Sequence, residues 1–93
     1  MLEGAVLIRQ GRAVIEIPME SEEIAVTIRS AIEPETNSAP SDRARAEVIV
    51  RGSVLVIQIS SSDLTSLRAA MNSYIAWVSA SLETIHAVLG QNP

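Results

Sequence analysis

From Leu64 to Leu89 the chain carries only two charged side chains, Arg68 and Glu83, and both of its aromatic residues, Tyr74 and Trp77. At the chain's overall charged content of 19% about five charges belong in such a stretch, and typical usage gives about six. Read as heptads from Leu64, the segment forms one long helix with a seam of Leu64, Leu67, Met71, Tyr74, Val78, Ile85 and Val88, widened by Ile75, Leu82 and Leu89. A surface helix normally sets a charged face opposite such a stripe. Here the opposite face is small and neutral: Ser66, Ala69, Asn72, Ser73, Ala76, Ser79, Ala80 and Ala87, with Trp77 at its edge. Small residues at three- and four-residue spacing admit a second helix closely, and tryptophan is a common interface anchor, so this face is expected to be covered by a partner. At the standard rise the helix is about 40 Å long, against roughly 17 to 20 Å for a typical strand. Its end is therefore expected to overhang any sheet it packs on.

The rest of the chain supplies the sheet. Arg12 to Ile17 alternates, with Ala13, Ile15 and Ile17 on one face, and reads as a half-buried strand ended by Pro18. Residues 1–11 read as an N-terminal extension; within it the apolar run Ala5 to Ile8 is either paired with this strand through a turn at Gln10-Gly11 or, preferably, joined to it as one long strand with a bulge at Gly11. Ser21 is a suitable N-cap, with Glu22 and Glu23 at the positive end of a helix dipole. Ile24, Ile28, Ala31 and Ile32 give that helix its apolar stripe, Ala25, Val26 and Arg29 fall on its other side, and Pro34 is expected to end it. Residues 34–42 have no periodicity and read as a mobile loop.

Two strands follow, Arg43 to Arg51 and Val54 to Ser60, joined by Gly52-Ser53. A two-residue loop sets Val50 opposite Leu55, Val48 opposite Ile57 and Ala46 opposite Ile59, which places all six on one face. Asp63 is the preferred N-cap of the long helix. The expected architecture is α+β, a single domain over residues 1–93: a three-stranded antiparallel sheet with two helices on one face, in the order strand, helix, strand, strand, helix.

Composition narrows the function. With no cysteine there are no disulfides, thiolate metal sites or thiol nucleophiles. The only histidine, His86, has no acid, thiol or second histidine at ligand or triad spacing, and the four glycines are scattered singly, so neither a metal site nor a phosphate-cradling loop is expected. A phenylalanine-free core of Val, Ile, Leu and Ala leaves little room for a substrate cavity. No apolar run reaches the roughly 18 residues of a membrane span, and an acid stands near the N-terminus where a signal peptide needs positive charge; a cytoplasmic location is expected. The net charge of −4 argues against unaided binding to nucleic acid. All seven basic residues are arginine, and Arg9, Arg12, Arg43, Arg45 and Arg51 gather around the sheet and its loop.

The stretch Asp63-Leu64-Thr65-Ser66-Leu67-Arg68-Ala69-Ala70-Met71-Asn72-Ser73 has the spacing D-x-x-x-L-R-A-x-x-N-S. With Glu33-Pro34-Glu35 after the first helix and Arg43 opening the second strand, it resembles the CTAG/Pcc family, small subunits of the KEOPS (EKC) complex, over about Arg12 to Leu89. The motif positions carried over are Asp63, Leu67, Arg68, Ala69, Asn72 and Ser73. The resemblance implies a non-catalytic subunit in the threonylcarbamoyladenosine modification of tRNA, without cofactor or metal, of the kind found in archaea. It implies dimers whose sheets join edge to edge, with a second copy or a paralogue. It also implies helices that dock a threonylcarbamoyltransferase of sugar-kinase-like fold. The expected docking residues are Ala25, Val26, Arg29, Asn72, Ser73, Ala76, Trp77 and Ala80; Arg43, Arg45 and Arg51 are candidate tRNA contacts through the assembled complex, and Arg68 is read as structural. The chain departs from the family pattern in its N-terminal extension and in Ser61, where alanine is commoner two residues before the motif aspartate. A stand-alone KH-like RNA-binding module is the competing reading, against which stand the missing G-x-x-G loop and a sheet without aromatics. A third, an ACT-type regulatory domain, has no motif in its favour.

Overall fold

The structure, a computed structural model, describes residues 4–9, 11–37 and 44–90. Its elements are β1 (Ala5–Arg9), β2 (Arg12–Pro18), α1 (Glu22–Asn37), β3 (Ala44–Arg51), β4 (Val54–Ser61) and α2 (Leu64–Gly90). The strands form one antiparallel sheet in the order β1-β2-β4-β3.

The sheet has four strands, where the sequence led us to expect three. The Ala5 to Ile8 run is a separate strand folded back on β2, with Leu7 opposite Val14 and Arg9 opposite Arg12. Gly11 makes this reversal possible. Its φ of 77° lies in the left-handed region that side chains disfavour, and an added Cβ would stand 2.7 Å from the Ser61 carbonyl oxygen. The Gly11 carbonyl accepts a 2.8 Å hydrogen bond from the Ser61 N–H, which ties the hairpin to the end of β4.

The β3–β4 hairpin has the register expected from its two-residue loop, pairing Val50 with Leu55, Val48 with Ile57 and Ala46 with Ile59. Gly52 takes the positive φ, 62°, that the turn requires. Ala13, Ile15 and Ile17 of β2 pair with Ile59, Ile57 and Leu55 of β4, so period-2 alternation on both strands delivers one apolar face. Onto it pack Ala25, Ile28 and Ile32 of α1 and Leu67, Tyr74 and Val78 of α2. Full burial of each Ile or Leu is worth roughly 1.5 to 3 kcal/mol, and this two-layer core holds the helices in place.

Three details of the helices depart from the sequence reading. The buried face of α1 runs through Ala25, Ile28 and Ile32, while Ala31 is exposed and Ile24 is half-buried. Helix α1 also continues through Pro34 to Asn37, so part of the segment read as a loop is helical, and residues 38–43 lie outside the described residues. Proline at that position removes the N–H that would donate to the Ser30 carbonyl four residues back and crowds that carbonyl, so the helix continues without that hydrogen bond. Finally, Leu64, Val88 and Leu89 of the expected α2 seam are more than half exposed, Leu64 in the first turn and the other two at the far end, where the helix outruns the sheet.

Candidate partner-binding surface

Both helices start on side-chain caps. The Ile24 N–H donates to Ser21 Oγ at 3.2 Å, and the Ser66 N–H donates to Asp63 Oδ1 at 2.7 Å while Ser66 Oγ donates to Oδ2 at 3.0 Å. Ser61 contributes what alanine would not: its hydroxyl accepts the Asp63 N–H at 3.3 Å and donates to the Asp63 carbonyl at 3.0 Å. The beginning of α2 is thus tied to β4. Of the motif positions, Leu67 is fully buried and Arg68, Ala69 and Asn72 are exposed. Arg68 forms no ion pair among the described residues.

The residues expected to dock a partner divide into three groups. Asn72, Ala76 and Ala80 lie in one row at four-residue spacing on the exposed side of α2, and Val26 and Arg29 are exposed on α1. Ser73 and Trp77 are half-buried; Trp77 packs against the core and stacks edge-on against Tyr74, with ring centroids 5.0 Å apart at 79°. Trp77 therefore packs onto the domain's own core and is only partly exposed. Ala25 has no exposed surface and drops out, because the close packing of α1 on the sheet needs a small residue there.

Arg45 and Arg51 are exposed on the sheet face away from the helices, at opposite ends of β3, and Arg43 lies outside the described residues. Arg9 and Arg12 share the end of the sheet that carries Arg45, a grouping that only the strand pairing reveals. Also unforeseen is the exposure of Val6, Leu7 and Ile8 on β1, whose contacts are confined to β2. The one hint in the sequence was an apolar run without an evident role.

His86 Nε2 lies 2.8 Å from Glu20 Oε1, joining the last turns of α2 to the β2–α1 connection at an exposed site. Among the described residues no three His, Asp or Glu side chains gather to hold a metal ion, and no helix is long and apolar enough to cross a membrane.

Taken together, these features define a small two-layer α+β domain with an exposed neutral face on its long helix. A family model described as transcription factor Pcc1 matches residues 12–86. The chain is 32% identical over 77 residues to the KEOPS complex subunit Pcc1 of Pyrococcus abyssi (strain GE5 / Orsay), covering 83% of this chain and 92% of that protein. The chain belongs to the Pcc1 family. Strand β1 precedes the matched segment.

Proposed function

We propose that the chain is a non-catalytic subunit of a KEOPS complex, acting in the cytoplasm in the threonylcarbamoyladenosine modification of tRNA. Its helices dock the catalytic threonylcarbamoyltransferase subunit, and a sheet edge joins a second copy or a paralogue. The observation that carries this reading is the exposed neutral row Asn72, Ala76 and Ala80, on a helix that lies almost wholly within the segment matched by the family model. With Val26 and Arg29 of α1 it offers a surface where a partner helix approaches closely and desolvates few charges.

The test is co-expression with the threonylcarbamoyltransferase of the same organism. The two proteins should co-elute from a sizing column, and an Ala76→Glu/Ala80→Glu variant with an unchanged far-ultraviolet circular dichroism spectrum should elute alone. Both positions are exposed, so the variant keeps the core that a Trp77 substitution would disturb. Failure of the wild-type proteins to associate, or undiminished association of the variant, rules out the docking surface.

A further inference from the structure

We infer that Arg9, Arg12 and Arg45 form a strip that binds the sugar-phosphate backbone of RNA on the sheet face opposite the helices. The register aligns them: Arg9 is opposite Arg12, Arg12 is opposite Ser60, and Ser60 is opposite Arg45. One straight row across all four strands therefore carries three guanidinium groups and a hydroxyl. At the usual strand spacing the row spans about 14 Å. All four side chains are exposed, and a shallow depression beside them is lined by Arg12, Val14, Arg45, Glu47, Gln58 and Ser60.

The strip stands out for its unbalanced charge. The chain has eleven acidic residues against seven arginines, yet none of these three arginines forms an ion pair or side-chain hydrogen bond among the described residues. Like charges directly opposite across a strand pair are unfavourable, and Arg9 faces Arg12. The carboxylates on this sheet face, Glu47 and Glu16, stand one and two rows away. An anionic ligand relieves the repulsion. Guanidinium groups meet phosphate oxygens with two parallel N–H donors, and a line of three suits a run of phosphates better than one small anion. Neither aromatic residue is on the sheet, so there is no platform for stacking bases and the contact reads the backbone alone. Arg51 pairs across from Val54 at the other end of β3, about 20 Å from Arg45, and is outside the strip.

Arg9 comes from β1, ahead of the segment shared with the family, so the N-terminal hairpin completes the strip. The choice of tRNA as the probe rests on the proposed function; the strip itself rests on register and charge.

The experiment titrates the full chain, alone and bound to the catalytic subunit, against a fluorescently labelled tRNA transcript at about 50 to 200 mM salt, reading anisotropy. An Arg9→Gln/Arg12→Gln/Arg45→Gln variant should bind at least about tenfold more weakly at the low-salt end and flatten the slope of log affinity against log salt by about 2 to 3. Arg51→Gln, a single arginine outside the strip, should change the slope by no more than about 1. The triple variant should still co-elute with the catalytic subunit, which separates loss of the strip from loss of docking. The inference is overturned if the triple variant keeps wild-type affinity and slope, if Arg51→Gln loses as much, or if wild-type protein binds no RNA in either state. It is also overturned if inorganic phosphate or polyglutamate, at matched charge concentration, displaces the tRNA as effectively as unlabelled RNA.

Discussion

At the scale of single residues, Asp63 shows how much a short-range signal settles. Its carboxylate engages both the N–H and the hydroxyl of Ser66, three residues on, so the contact depends only on local backbone and is legible from the sequence. Asp63→Ala should cost about 1 kcal/mol of stability, up to about 2, read as a lower urea midpoint at unchanged slope. Asp63→Asn should keep most of it, because the amide oxygen still accepts from the Ser66 N–H. Equal midpoints for wild type and Asp63→Ala would show that the cap contributes nothing. Ala25 and Trp77 were harder to read, since whether an alanine or a tryptophan faces core or partner depends on the helix's rotation against the sheet. That rotation is set by side chains far away in the sequence, among them Ile57 and Leu55, which share the core with Ala25.

At the scale of elements, legibility followed turn chemistry. The β3–β4 register was readable because a two-residue loop leaves one alignment that buries Leu55, Ile57 and Ile59 together. The Gln10-Gly11 pair was ambiguous because glycine serves a bulge as readily as a turn, and the arbiter is the Ser61 backbone above it. The reversal leaves β1 as an edge strand, with Val6, Leu7 and Ile8 exposed by 50%, 66% and 49% and an apolar groove lined by Ala5, Val6, Ile15, Ile17 and Ile75 beside it. Such an edge is a template for another strand. If the proposed dimer uses it, antiparallel pairing about a two-fold axis at Leu7 sets that residue against its own copy. Leu7→Lys would then oppose two like charges at the seam. Sedimentation equilibrium should show a concentration-dependent dimer for the wild type and a shift toward monomer for the variant. A monomeric wild type at every concentration, or a variant that dimerises equally well, would remove β1 from the interface.

At the scale of the whole molecule, the governing fact is a mismatch of lengths. The helix is 27 residues long, about 40 Å at the standard rise, and the longest strands have eight. This much was foreseeable, and the unexpected fourth strand does not alter it, because another strand widens a sheet without lengthening it. The domain accordingly extends 48 Å in one direction and 23 by 19 Å in the others. Buried residues of α2 run from Leu67 to Val78 and Leu82 and Ile85 pack partly buried beyond them, while residues 86–90 are exposed throughout and tied back through the His86–Glu20 pair. An exposed contact of this kind, whether hydrogen bond or ion pair, is worth about 0 to 1 kcal/mol, too little to suppress fraying. Opening free energies should therefore fall along the helix from near the global value to near zero. In hydrogen exchange on the dilute isolated chain, the amides of Leu67, Tyr74 and Val78 should be the slowest of α2, and those of Ala87 to Gly90 should exchange orders of magnitude faster. Once the catalytic subunit is bound, slowing of the terminal amides would mean that the partner covers the overhang as well as the Asn72–Ala80 row. Uniform protection along α2 in the isolated chain would contradict the overhang, since a helix end with no core beneath it has nothing to hold its hydrogen bonds closed.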